Sequence, residues 1–104
     1  MRTSKETARA LLAQIQEVAD ARMISMMGEY VLYVDEKVVG QINHSEVFIK
    51  VTPFGESFVP KLEKEPPYEN AKSAFIIPNT RLADVDWLRR FIAGTVKDLP
   101  PKKK

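Results

Sequence analysis

The strongest constraint on the fold is a change of hydrophobic period near residue 20. Before it, Ala8, Leu11, Leu12, Ile15, Val18 and Ala19 recur at helical spacing. After it the pattern breaks into four short runs, 23–27, 30–35, 37–43 and 46–51, rich in β-branched and aromatic side chains. Turn-compatible residues separate the runs: Gly28, Asp35-Glu36 and Asn43-His44-Ser45. Gaps this short close antiparallel hairpins, because a parallel crossover needs about a dozen residues or more.

The first helix is predicted over residues 4–19, with Thr3 and Glu6 spaced as a capping box. The run 30–34 is apolar throughout, as expected of a strand covered on both faces. Gly40, inside a strand pattern, points to a bulge or a close backbone approach. Thr52-Pro53 can open a short helix over 54–59, Thr52 as cap and Pro53 at the first helical position. Residues 61–73 carry Pro66, Pro67 and many charged side chains, and read as a long surface connection. Residues 74–77 read as a buried strand. A last helix is predicted over 85–97, capped by Asp84, with Val85, Leu88, Phe91, Ile92 and Val96 inward and Trp87 at the seam.

The expected order is α-β-β-β-β-α-β-α. This is an α+β domain with a single antiparallel sheet of about five strands, flanked by N- and C-terminal helices. The 104 residues suffice for one domain, expected over 1–100, with a basic tail at 101–104. An open sheet has edges, and an exposed edge is a pairing template, so a homodimer is a possible partner state.

Charge narrows the functional classes. The net charge of +2 comes from the end of the chain. Without Lys102, Lys103 and Lys104 there are 13 basic and 14 acidic side chains, a net of −1. Nucleic-acid modules usually spread a basic patch over one element or face. No apolar run approaches the roughly 18–20 residues that span a bilayer, so no membrane partner is expected. Nor does the charged N-terminus have the apolar core of a secretory signal. With no cysteine, there is neither a disulfide nor a thiolate metal site, and the expected location is cytoplasmic.

The parts of an active site are missing. His44 is the only histidine and sits in a turn sequence, Asn-His-Ser-Glu. No His/Asp/Glu set has metal-ligand spacing, and the glycines at 28, 40, 55 and 94 form no phosphate loop. No cofactor, metal or catalytic residue is assigned, and the chain is read as a non-enzyme. Lys50 interrupts the run 47–51. It is expected either at a solvated strand end or anchored by Glu29, Asp35 or Glu46, with a ligand anion as the sharper alternative. Met23, Met26 and Met27 read first as core filler, although methionine-rich surfaces also suit adaptable partners.

Taken in order, the motifs resemble the N-terminal domain of the TfoX/Sxy family. The residues that carry the resemblance begin with Arg22, MMGEY at 26–30 and LYVDEKVVG at 32–40. Phe48-Ile49-Lys50-Val51, PYENAK at 67–72 and Ile77-Pro78 follow, then the last helix with Trp87 and Leu88, and LPPKKK at the end. Many family members have Met-Phe-Gly-Gly-Tyr where this chain has Met26-Met27-Gly28-Glu29-Tyr30. The resemblance spans nearly the whole chain. It implies an α+β fold of the kind grouped with secretion chaperones, and a link to competence regulation together with the cyclic-AMP receptor protein. Those regulators carry a second, C-terminal domain, which this chain, ending at Lys104, is expected to lack. The resemblance supplies no catalytic residues.

Three functional readings follow. The first is a non-enzymatic regulatory or protein-interaction module, with a protein partner in transcription regulation. Its expected contact surface joins Met27, Gly28, Glu29 and Tyr30 to Lys50, Pro67, Tyr68 and Lys72. The second is a nucleic-acid binder using Arg89, Arg90, Lys97, Lys102, Lys103 and Lys104. The third is a small-molecule-binding domain or cryptic enzyme, with a pocket between sheet and loop lined by groups such as Glu29, Tyr30 and Lys50. A secretion-chaperone role, resting on fold analogy alone, ranks below all three.

Overall fold

A computed structural model describes residues 3–26 and 29–100. Within them the order is α1 (Lys5–Gln16), β1 (Ala21–Met26), β2 (Glu29–Val34), β3 (Lys37–Asn43), β4 (Glu46–Lys50), α2 (Pro53–Phe58), β5 (Lys64–Glu65), β6 (Ala74–Ile77), α3 (Asn79–Leu82) and α4 (Val85–Asp98). The strands form one sheet in the order β1-β2-β3-β4-β6-β5, antiparallel at every pairing. The α+β class and the flanking helices are as expected. The sheet has six described strands rather than about five, and α3 is a further turn of helix before α4.

Local chemistry explains most boundaries. In α4, the Asp84 side chain accepts from the Trp87 N–H, as predicted. Thr52 does the same for Gly55 in α2, with Pro53 in the first turn. The two tight hairpin turns among the described residues use a pair of left-handed residues, Asp35-Glu36 and His44-Ser45, as two-residue turns between right-twisted strands require. In α1 the capping assignment needs correction: Ser4, not Thr3, caps the helix by accepting from the Thr7 N–H at 3.1 Å. Thr3 is buried instead, where its hydroxyl oxygen accepts the Ser45 N–H at 2.8 Å.

One sheet face and the helices share the main core. Ile15 from α1 and Phe91 from α4 meet Leu32, Ile42, Ile49 and Phe75 from the strands, all essentially inaccessible. Each such side chain contributes about 1.5–3 kcal/mol on burial. On α4 the inward stripe is Leu88, Phe91, Ile92, Thr95 and Val96, whereas Val85 is exposed, contrary to its expected inward placement. The Trp87 ring stacks on Phe91 with centroids 4.9 Å apart, and the Arg81 guanidinium lies 4.8 Å from its centre. Gly94 lets Phe54 of α2 approach: a Cβ there would stand 2.3 Å from the Phe54 ring.

The opposite, outer face of the sheet is covered in part. Phe48, Ala74 and Ile76 form a small buried cluster there. The expectation that 30–34 is covered on both faces does not hold. Leu32 and Val34 are buried, but Val31 and Tyr33, which alternate with them, are only half-buried.

Candidate functional site

Most of the predicted surface residues gather on the outer face, whereas Tyr30, paired with Ile42, packs against the main core. Strand register places Met26 opposite Glu29, Val31 opposite Gln41, and Gln41 opposite Phe48. Phe48 and Lys50 are then opposite Ile76 and Ala74. The connection between β5 and β6 folds back across this surface. It is not a fully solvated loop: Pro67 is buried, and the Asn43 Nδ2 donates to the Pro67 carbonyl at 3.0 Å. The Ala71 N–H donates to the Tyr68 carbonyl at 3.1 Å, and Asn70 takes a left-handed conformation at φ 69°.

Tyr68 stands between two hollows. The first, about 420 Å³, lies between the sheet and the 67–74 segment and is lined by Gln41, Phe48, Lys50, Pro67, Tyr68 and Lys72 among others. The second, about 380 Å³, is lined by Met26, Glu29, Tyr30, Val31, Gln41, Asn43 and Tyr68. Six of the eight expected surface residues, Glu29, Tyr30, Lys50, Pro67, Tyr68 and Lys72, therefore line one or both of two hollows that share Gln41 and Tyr68. Met27 and Gly28 lie outside the described residues. Sequence reasoning missed Gln41, Asn43 and Phe48. Gln41 and Asn43 alternate along β3, and that polar alternation was the available signal.

The electrostatics are simple. Lys50 forms no ion pair among the described residues, so the anchoring acid considered for it (Glu29, Asp35 or Glu46) is not found. Glu29 faces backbone donors instead: the N–H groups of Thr3 and His44 each lie 3.4 Å from its carboxylate. Asn43 is buried, and its Oδ1 has no hydrogen-bond partner among the described residues. At the sheet edge, Arg22 makes two hydrogen bonds to the Glu36 carboxylate, at 3.0 and 3.1 Å. That pairing raises the Arg22 pKa above its ordinary value.

The expected nucleic-acid residues are placed differently. Arg89 and Arg90 are exposed on α4, but both turn to Asp86, at 3.5 and 3.9 Å. Lys97 is exposed near the end of the same helix. Lys102, Lys103 and Lys104 lie outside the described residues. Among the described residues, no group of three or more His, Cys, Asp or Glu side chains could hold a metal ion. No described helix is long and apolar enough to cross a membrane.

No family model matches the chain. A curated relative is similar over part of it: an uncharacterised 12.7 kDa protein in the trpE 5′ region of Spirochaeta aurantia, 42% identical over 55 residues. The matched stretch is 53% of this chain and spans about half, 48%, of that relative.

Proposed function

We propose that the chain is a non-enzymatic regulatory module that docks a segment of a partner protein on the outer face of its sheet. The partner is a protein of the transcription machinery, as the resemblance to competence regulators implies, and the setting is cytoplasmic. One observation carries the docking site: Met26 and Tyr68, 54% and 55% exposed, flank the same hollow as Glu29 and Tyr30. Exposed apolar side chains around a hollow are what a docking segment covers.

Direct nucleic-acid binding has less support. Two of its described cations already share Asp86, which halves the charge they offer to phosphates. Self-association has a candidate edge in β1. The Asp35 N–H donates to the Asp20 carbonyl at 3.1 Å, so by alternation the backbone of Met23 and Ser25 faces away from β2.

The test is an in-cell crosslinking pull-down of the tagged chain, treated with nuclease before mass spectrometry. RNA polymerase or a cyclic-AMP-receptor-like regulator should be enriched, survive nuclease, and be lost with Met26→Asp or Tyr68→Ala. Enrichment that both variants leave intact would remove the outer face from the reading. Enrichment lost to nuclease would move nucleic acid to the front.

A further inference from the structure

The hollow on the other side of Tyr68 has a chemistry of its own, and it stands whether or not a protein docks beside it. We propose that it binds a small organic carboxylate with an apolar or aromatic body, held by Lys50 and Lys72. Its volume, about 420 Å³, is in the range of small-molecule sites. Phe48 and Val38, on the outer face of adjacent strands, give it an apolar floor, and Tyr68 and Ala71 belong to the segment that covers it. That cover is held by the Asn43–Pro67 hydrogen bond.

The sign of the ligand charge follows from the lining. Among the described residues, two lysines line the hollow and no aspartate or glutamate does. Neither lysine has an ion pair among the described residues. Three other hollows each carry carboxylates: Glu46 and Glu63 in one, Asp20 and Asp35 in another, Glu29 in the third. Glu65 is on the next strand but one from Lys50, opposite Ala74, yet it does not line the hollow and makes no ion pair with Lys50. Lys50 therefore stands at the end of an apolar strand face with its charge unmet among the described residues. An anionic head between the lysines, with an apolar body over Phe48, satisfies both parts of the surface. The Tyr68 and Ser73 hydroxyls and the Gln41 amide add polar atoms at the rim. A phosphate-like dianion would use the charge but leave the apolar floor uncovered.

The experiment is an amide-resolved NMR titration of the full chain. Its probes are phenylacetate and octanoate, their neutral amides, and inorganic phosphate. Both carboxylates should bind, with shifts centred on Phe48, Ala71 and Ala74. Their amides should bind about tenfold more weakly or worse, the usual size of a lost charged hydrogen bond. Lys50→Gln and Lys72→Gln should each weaken carboxylate binding by about the same factor, while Lys61→Gln, outside the hollow, should not. Both lysines are exposed, so neither variant threatens the fold. Equal binding of acid and amide, equal binding of phosphate, shifts centred elsewhere, or no carboxylate binding at millimolar concentration would each overturn the proposal.

Discussion

The ammonium of Lys37 lies 3.1 Å from the carbonyl oxygen of Leu99 and closes the C-terminal end of α4. The same Nζ donates to the Val96 carbonyl at 2.9 Å. The last carbonyls of a helix have no partners within it and carry the negative end of its dipole. A lysine from the first residue of β3 thus ties the last helix to the sheet. Lys37→Met keeps much of the aliphatic stem and removes the donors. It is expected to lower stability by roughly 1–2 kcal/mol, the range for a cation at a partly buried helix end. Urea denaturation followed by Trp87 fluorescence measures it. An unchanged midpoint would mean that water closes the helix end equally well.

Ser45 holds a left-handed conformation, φ 62°, in the turn between β3 and β4. For a residue with a Cβ that region costs about 1 kcal/mol or more, and glycine avoids the cost. Only the backbone N–H of Ser45 is used in its hydrogen bond to Thr3, so the contact survives substitution. Ser45→Gly should therefore stabilise the protein by roughly 0.5–1 kcal/mol, after the greater freedom of glycine in the unfolded chain is set against the relieved strain. A thermal melt that moves downward would show that the serine side chain does more than tolerate the turn.

Asn43 governs the cover of the candidate site. Its Nδ2 is the described side-chain donor to the Pro67 carbonyl, at 3.0 Å. Asn43→Ala removes that bond and also the unpartnered Oδ1, so the global loss should be modest, about 1 kcal/mol. The local effect should be larger. Hydrogen exchange at the Ala71 N–H, which is bonded to the Tyr68 carbonyl, should quicken about tenfold or more as the segment opens. If it does not, packing of Pro67 alone holds the cover, and the Asn43 contact is incidental.

Much of the fold was legible because its signals are local. Asp84 caps α4, and Thr52-Pro53 starts α2, through atoms three residues or fewer away in the chain. The paired left-handed turns follow from the gap length between strands. The features missed are non-local. Thr3 was expected to cap α1 but bonds Ser45, 42 positions away, and Ser4 takes its place. Lys64-Glu65 is a strand only because β6 lies beside it. The candidate site divides along the same line. Lys50 is picked out in the sequence by its place in the apolar run 47–51, but that it shares a surface with Glu29 and Tyr68 has no local signal. That Tyr68 splits the surface into two hollows, one cationic and one with Glu29, required the pairing of four strands and the return of the 67–73 segment.

Gly40 shows how tightly that pairing is set. The ladder between β2 and β3 shifts register at Leu32/Tyr33, where Leu32 pairs with Gly40 and Tyr33 with Val38. Gly40 also pairs with Ile49 on the other side. A Cβ at this position would stand 1.8 Å from the Phe48 carbonyl oxygen and 2.8 Å from its carbon. These are backbone atoms of the neighbouring strand and cannot swing aside as a side-chain tip can. Gly40→Ala must part β3 from β4 or distort the bulge. An alanine elsewhere in a strand would gain roughly 0.5–1 kcal/mol over glycine. Here the overpacking term dominates, and a net loss of about 3 kcal/mol is expected, the upper part of the usual range for such insertions. The strain falls on the strand that carries Phe48 and Lys50, so their amide resonances should shift even in a variant that still folds. Chemical denaturation together with an amide spectrum tests both halves. An alanine variant as stable as the parent, with unmoved Phe48 and Lys50 signals, would mean that β3 and β4 are less closely drawn together than their register implies.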